Sequence, residues 1–252
     1  MNSRFFKQLK IAFLFFFPIF IFLGFKIVPL FLTPPSCFDN KKNQGETGID
    51  CGGPCPPCEI KSLQPLTISS LRKIKYPDGS YDLAAKVFNP NEKWGLKEIA
   101  YSFVLFDEEG KKIYETSKEK SIIYPNETRW LILQNLKLPD FSSFKLNLEI
   151  DNYNWQPMEN NFSPLYLVYY EPTFEKTSFG SYHIFFNVYN KSIYDFDKVE
   201  AIIFIYDENQ EIIALNRVNF KINHDTIEKV EFINNTLDKE PKGLEIFFQL
   251  SQ

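Results

Sequence analysis

All four cysteines of this 252-residue chain lie in one short segment, at Cys37, Cys51, Cys55 and Cys58. Cysteines can form disulfides, bind zinc or hold an iron–sulfur cluster. An even number of cysteines in an exported segment predicts two disulfides, with three pairings open. The alternatives are a zinc ion held by four thiolates and an iron–sulfur cluster on the last three cysteines. We favour the disulfides, because the segment is expected to be exported. Nothing downstream shows the alternating strand and helix pattern of an intracellular cluster enzyme, which argues against the iron–sulfur alternative.

The same segment carries several side-chain oxygens that suit a hard cation such as Ca²⁺. They belong to Asp39, Asn43, Glu46 and Asp50. Their spacing is not that of an EF-hand loop, and Gly48 offers no side-chain ligand. We therefore favour a solvated polar loop, keep Ca²⁺ as the weaker alternative, and predict no cofactor.

The segment from Cys37 to Cys58 is similar to a short Cys-rich motif of exported bacterial surface proteins. The motif has the pattern C-x-D-G-x-x-N-x-x-E-T-D-x-D-C-G-G-x-C-x-x-C. This chain departs from it at Asn40, where the pattern has Gly, and at Gly48, where it has Asp. The resemblance implies an exported protein and does not indicate which activity it has.

An apolar run from residue 11 to residue 32 precedes the cysteines. As a helix rising roughly 1.5 Å per residue it would span about 33 Å, close to a hydrocarbon core of about 30 Å. Arg4, Lys7 and Lys10 precede the run, and positive charge stays in the cytoplasm. We predict a cytoplasmic tail (1–10), a transmembrane helix (11–32) and an extracytoplasmic remainder. A cleaved signal peptide is the alternative, but no A-x-A-like site follows the run.

Beyond Cys58 the sequence predicts antiparallel strands, because apolar and polar residues alternate between turn signals. It also repeats itself. Asn89 aligns with Asn190, Asp107 with Asp207 and Thr128 with Thr226, at offsets of 101, 100 and 98 residues. A period near 100 residues indicates a domain duplication. In the second copy we expect Asn209 to occupy the left-handed turn position that Gly110 fills in the first.

The segment Phe103-Val-Leu-Phe-Asp107 resembles the signature of Ig-like and FxLYD-type β-sandwich domains of bacterial envelope proteins. Val87-Phe-Asn89-Pro90-Asn91 is similar to LEA14-like sandwiches. The resemblance implies the fold and hardly implies function. The predicted fold class is therefore all-β, with a transmembrane helix, a Cys-rich stalk (33–60) and two tandem antiparallel sandwiches (61–155 and 156–252).

No catalytic motif is evident in the sequence. The two histidines are His183, expected opposite the core, and His224, expected in a turn. The carboxylates around Asp107 and Asp207 recur at the same hairpin, which indicates a role in the turn rather than acid–base chemistry. We therefore predict no catalytic residues.

The chain carries 28 Lys and Arg against 32 Asp and Glu, so its net charge of −4 gives no electrostatic case for nucleic acid. We expect a membrane-anchored, non-enzymatic protein of the cell envelope that binds an envelope protein or a glycan, or acts as a spacer. The alternative is an accessory subunit of a membrane-bound enzyme or secretion complex that docks through its sandwiches.

Overall fold

The computed structural model describes residues 8, 10, 13–14, 16–23, 36–158 and 165–251. The chain divides into two compact units, Met1–Ser62 and Leu63–Gln252. Residues 16–23 are helical, and within the described ranges no helix is both long and apolar enough to cross a membrane. Much of the predicted span 11–32, and most of the tail 1–10, lies outside the described residues. The transmembrane helix therefore stays a prediction.

Antiparallel strands make up most of the second unit. In chain order they are β1 (Thr67–Lys75), β2 (Ser80–Phe88), β3 (Trp94–Phe106), β4 (Lys112–Glu115), β5 (Glu119–Ile123), β6 (Thr128–Lys137), β7 (Ser143–Glu149), β8 (Trp155–Pro157), β9 (Leu167–Lys176), β10 (Tyr182–Asn190), β11 (Phe196–Tyr206), β12 (Ile212–Ile222), β13 (Ile227–Asn234) and β14 (Gly243–Leu250). Short 3₁₀ helices span Cys58–Ser62 and Asn152–Asn154. The all-β prediction is confirmed.

The described strands form four sheets, which we number I to IV. Sheet I has the order β1-β2-β6, sheet III β13-β10-β9 and sheet IV β12-β11-β14. In sheet II, the central strand β3 pairs with β4 and β5 and also with β7 and β8. Because β8 pairs with β3, residues through Pro157 belong to the first sandwich, just beyond the expected boundary at 155.

The duplication is visible in the topology. Sheets I and III are built from equivalent strands in the same order. In the other sheet of each copy, the pairing of β3 with β7 in sheet II corresponds to the pairing of β11 with β14 in sheet IV. The hairpin bond from Asp107 N to Lys111 O recurs from Asp207 N to Glu211 O, at 3.1 and 3.0 Å. The main difference is that β4 and β5 together occupy the place of the continuous strand β12.

A buried asparagine closes the same corner of each copy. Asn89 and Asn190 are both fully buried, and each donates two side-chain hydrogen bonds to backbone carbonyls. The acceptors are Trp94 and Tyr124 in the first copy and Tyr194 and Asn223 in the second. Tyr124 is thus equivalent to Asn223, so this turn aligns at an offset of 99 residues. The offset of 98 expected from the sequence is wrong by one residue.

The hairpin at Asp207 also differs from expectation. Gly110 has φ +78°, and its counterpart is Gln210 with φ +63°, whereas Asn209 is not among the residues with positive φ. Asp207 Oδ1 accepts hydrogen bonds from Asn209 N and Glu211 N, at 2.9 and 3.0 Å. Because those bonds fix Asn209 before the left-handed position, the glutamine takes it. The expected role of Asp107 and Asp207 in the turn is confirmed, since Asp107 Oδ1 likewise accepts from Lys111 N at 2.7 Å.

The four sheets stack in the order II, I, IV, III. Tyr101 of β3 donates its hydroxyl to Ile132 O of β6 across the first sandwich, at 3.0 Å. Ile74, Ala84 and Trp130 of sheet I belong to the same apolar cluster as the second sandwich. The central strands β2 of sheet I and β11 of sheet IV are therefore largely buried on both faces, and we call the interface between the two sheets the seam.

We predict opposite effects of glycine substitutions at the two equivalent turns. Gly110→Ala should lower the free energy of unfolding by about 1 kcal/mol, because a side chain disfavours positive φ. Gln210→Gly should raise it by less than about 1 kcal/mol, since glycine removes that strain but enlarges the unfolded ensemble. Denaturant unfolding of both variants measures the difference. Equal effects of the same sign would contradict the assigned turn geometry.

Candidate functional site

The four cysteines form two disulfides, Cys37–Cys55 and Cys51–Cys58. The disulfide prediction is confirmed, and one of the three possible pairings is selected. Cys37, Glu46 and Cys55 bring possible ligand atoms within 4.8 Å of one another, but the two sulfurs are bonded together. A sulfur in a disulfide has no thiolate to offer a metal ion, so this state of the segment does not fit the zinc or iron–sulfur alternative.

The polar side chains of the segment fold its loop. The Asp50 carboxylate accepts from Asp39 N and Asn40 N at 3.0 Å, and buried Glu46 accepts from Asn43 N and Asp50 N at 3.3 and 3.2 Å. Asn43 Nδ2 donates to Asp39 at 2.9 Å. These bonds support the interpretation as a structural polar loop. The Ca²⁺ alternative stays a prediction.

Two glycines allow the loop to close tightly, one against a disulfide and the other against Thr47. A Cβ on Gly48 would lie 2.8 Å from Cys51 Sγ and 2.9 Å from Cys58 Sγ. A Cβ on Gly52, which has φ +75°, would lie 1.9 Å from Thr47 Oγ1. Gly48, which departs from the motif, is therefore required here by packing against a disulfide.

The seam between sheets I and IV is centred on Trp130 of β6, which is 2% exposed. Its ring lies 4.8 Å from the Phe204 ring and 5.4 Å from the Phe247 ring, between centroids. The Arg72 guanidinium carbon lies 4.9 Å from the Trp130 centroid, and its Nη1 is 2.8 Å from a Glu245 oxygen. An aromatic cluster, a cation over its rings and an ion pair thus join the two sandwiches.

Side chains also satisfy the backbone at the free edges of both sheets. Trp130 lies on the edge strand β6. The side-chain amide of Gln249 accepts a hydrogen bond from the Trp130 backbone N–H at 2.9 Å and donates one to the Trp130 carbonyl at 3.2 Å. Leu215 lies on the edge strand β12. The Tyr76 hydroxyl accepts from its N–H at 3.1 Å, and Gln134 donates to its carbonyl at 2.9 Å. The backbone groups of Trp130 and Leu215 are therefore not available to pair with another strand.

A polar cleft of about 360 Å³ opens at one end of the seam. Both copies line it with side-chain amides, namely Gln134 and Asn135 from the first and Asn216, Asn234 and Asn235 from the second. Behind them Asp82, 3% exposed, accepts from the Tyr76 hydroxyl and from Asn135 N, both at 2.7 Å. Burial raises the pKa of the Asp82 carboxyl above its ordinary value of 3.8.

A second cleft, of about 300 Å³, opens elsewhere along the seam, and its cations are paired. Arg129 Nη2 lies 2.9 Å from Glu127, Arg217 Nε lies 3.6 Å from Glu200, and Lys120 pairs with Glu98 at 2.9 Å. Because each cation has a carboxylate partner, this cleft presents little net charge to a ligand.

The histidines lie where the sequence places them. His183 is on the outer face of sheet III, 3.6 Å from Glu175 and 3.4 Å from Glu231. His224 lies in the turn before β13, and its ring is 2.8 Å from Asp195. Their contacts are with carboxylates at the surface of the second sandwich.

Sequence reasoning missed the seam and therefore the clefts beside it. The signal was present in the unbroken apolar run from Ala201 to Ile205 of β11, all of it fully buried. In a strand covered on one face, apolar and polar residues alternate, whereas a strand covered on both faces is apolar along its length. The partner of the second face could not be named from that run.

No protein-family model and no curated protein matches this chain. Among solved structures, red sea bream transglutaminase is similar over 75% of this chain and 29% of its own length, with 8% identity and a TM-score of 0.24. The tandem CBM22-1-CBM22-2 domain of Paenibacillus barcinonensis Xyn10C is similar over 75% of this chain and 86% of its own length, with 12% identity and a TM-score of 0.17. Scores this low carry no argument about function.

We predict that Gly52→Ala disrupts disulfide formation and that Gly45→Ala does not. Both glycines have positive φ, so both variants are strained, but a Cβ on Gly45 meets nothing within 4 Å. Mass spectrometry of unreduced peptides should find both native disulfides in Gly45→Ala and mixed or reduced species in Gly52→Ala. Native pairing in both variants would contradict the loop geometry.

We predict that Trp130→Ala destabilises the second unit by about 3–5 kcal/mol, because it empties the centre of the seam. Phe179→Ala is the matched control: Phe179 is 95% exposed, and its loss should change stability by less than about 0.5 kcal/mol. Urea unfolding measures both. A loss of stability in Trp130→Ala no larger than in the control would contradict the assigned role of the seam.

We predict that Asp82→Asn flattens the pH dependence of stability in acid. Because the folded-state pKa of Asp82 is raised, its protonated form stabilises the fold fully below pH 3.8. That contribution is lost as the pH rises through the folded-state pKa. The stability of Asp82→Asn relative to the unmodified protein should therefore increase with pH across this window. Parallel curves would show that burial does not shift the pKa.

Proposed function

We propose that this protein is a membrane-anchored, extracytoplasmic binding or structural protein of the cell envelope without catalytic activity. The observation that carries the proposal is the seam, which joins two sandwiches into one body through Trp130, Phe204 and Phe247. A body of stacked sheets suits presentation of a surface at a distance from an anchor, because it resists bending between its domains.

Two observations support the proposed membrane-anchored, extracytoplasmic location. Disulfides form and persist in oxidising compartments, and both pairs of the Cys-rich stalk are formed. The described helical residues before the stalk carry exposed apolar side chains, including Phe16, Phe20 and Phe22 at 58%, 70% and 65%. Such side chains are costly in water and favourable in lipid.

The non-catalytic part of the proposal rests on what the polar side chains do. The recurrent carboxylates Asp107 and Asp207 accept backbone hydrogen bonds in their turns. His224 pairs with Asp195 on the surface. These contacts give each group a structural partner in place of a catalytic one.

An accessory subunit of a membrane-bound enzyme or secretion complex is the second candidate. It is favoured by exposed aliphatic side chains on sheet III, namely Val168, Ile227 and Ile233 at 42%, 59% and 60%. One stoichiometric partner recovered from detergent-solubilised membranes would support the subunit. Recovery of the protein alone would support the free envelope protein.

We predict that the cysteines face outward and are oxidised in intact cells. A thiol reagent that cannot cross membranes should label the protein only after a reductant is added. Ser3→Cys is the matched control, because residue 3 lies in the proposed cytoplasmic tail and its thiol should react only after lysis. Native thiols that react without reductant, and only after lysis, would invert the proposed topology.

A further inference from the structure

We propose that the amide-lined cleft at the seam binds a neutral, hydroxyl-rich ligand of the carbohydrate class. The inference rests on the proposed function, since it names a site and a ligand class for an envelope binding protein. The cleft of about 360 Å³ is at the lower end of ligand pockets, which range over roughly 300–1,000 Å³. That volume favours a ligand of one or two rings over an extended chain.

The chemistry of the lining favours hydroxyl groups. Five residues that carry side-chain amides line the cleft, namely Gln134, Asn135, Asn216, Asn234 and Asn235. Each amide offers a donor and an acceptor on one rigid group, and each ligand hydroxyl can both donate and accept. Neighbouring hydroxyls on a ring therefore match neighbouring amide groups without any charge.

Part of this polar wall is buried and held in place. Asn234, 5% exposed, donates to Asn216 Oδ1 at 2.7 Å and accepts from Thr236 N and Thr236 Oγ1 at 2.9 Å. Asn135 has φ +54°, and its N–H is held by Asp82 at 2.7 Å. Polar groups fixed before a ligand arrives lower the entropy lost on binding.

The charges around the cleft argue against an ionic ligand. Among the described residues that line it, none is Lys, Arg or His, so an anion would meet no cation on the wall. The Asp78 carboxylate is paired with Lys137 at 2.7 Å, and Asp82 is occupied by Tyr76 and Asn135. A cation would therefore meet no unpaired carboxylate among the described residues that line the cleft. Of anionic, cationic and neutral ligands, the lining thus favours a neutral one.

Apolar atoms complete the site. Ile233 lines the cleft and is 60% exposed. A sugar ring carries C–H groups on its faces as well as hydroxyls on its edge, so it can cover such a side chain while its hydroxyls reach the amides. The two copies contribute different groups to the cleft, so a single sandwich would lack the complete site.

The test uses the full-length, nitrogen-15-labelled protein in detergent micelles. It is titrated with glucose, galactose, mannose, N-acetylglucosamine and their beta-linked disaccharides. The reporters are the side-chain amide resonances of the five cleft residues, assigned by single substitutions. We expect at least one sugar to shift them saturably.

Ile233→Trp, which fills the cleft, should weaken that binding at least about tenfold. Ile227→Trp is the matched control, because Ile227 lies on the same strand and is 59% exposed against 60% for Ile233, but it does not line the cleft. Equal unfolding midpoints of the two variants would show that both fold. If Ile233→Trp fails to fold, Asn235→Ala replaces it, with weaker binding still expected.

Two results would overturn the proposal: no sugar shifts the cleft amides, or the shifts persist unchanged when the cleft is filled. Calorimetry of the same titrations distinguishes failure of the proposed cleft from failure of the proposed binding function. Heat of sugar binding without cleft shifts would overturn the cleft as the site and leave an envelope binding function standing. Thiols that react without reductant, and only after lysis, would instead overturn the proposed extracytoplasmic location, whatever the cleft binds.

Discussion

Burial of the Trp130 indole between sheets I and IV is the interaction on which the arrangement of the second unit depends. The ring contacts Phe204 and Phe247 of the other sandwich and lies beneath the Arg72 guanidinium. Gln249 bonds both backbone groups of the same residue. Apolar burial drives the two sheets together, and the side-chain bonds fix their register, since an unsatisfied edge group would be costly once buried. The amide-lined cleft exists only because this seam holds the two copies side by side.

The seam joins non-equivalent faces of the two copies. Nothing in the geometry of such an interface limits it to two domains, so it could in principle repeat. Sheet I of the first copy meets sheet IV of the second, so the outer face of sheet III is the equivalent of a face that is buried in the first copy. Repetition of this contact between molecules would build an open filament.

The residues on the outer face of sheet III explain why the stack can end. Trp130 is replaced there by Lys229, and Ile132 by Glu231, at the same register positions. Ile74 is replaced by Glu175 on the neighbouring strand. Charges at these positions interrupt the apolar surface of the end face, as polar residues do on the outer faces of capping repeats. The two copies have thus diverged according to which face each one buries.

Much of the fold could be predicted from the sequence, because it depends on local patterns. Alternation and turn signals indicated the strands that are covered on one face, and Asp107 and Asp207 marked equivalent turns through side chains that bond their own backbone. The cysteine count predicted disulfides but not their pairing, which depends on how Gly48 and Gly52 let the loop close. The turn at Gln210 was misassigned because asparagine is usually preferred at positive φ, and here the bonds of Asp207 decide the position.

The seam and the cleft could not be predicted, because they depend on contacts between residues more than 70 positions apart, such as Gln134 and Leu215 at a separation of 81. An exposed aromatic and a buried aromatic look alike in a sequence. Phe247 and Phe248 are adjacent, and only the structure shows that Phe247 packs on Trp130 in the seam while Phe248 packs on Phe220. A duplication predicts two domains without predicting that one packs on the other.

Scanning calorimetry of the full-length protein in detergent tests the central claim, that the two sandwiches form one cooperative body. The account predicts a single transition for residues 63–252, with a calorimetric enthalpy of roughly 130 kcal/mol near about 60 °C that equals the van't Hoff enthalpy. Independent sandwiches would give two transitions, or one whose van't Hoff enthalpy is about half the calorimetric value. That result would contradict the seam as the interaction that unites the second unit.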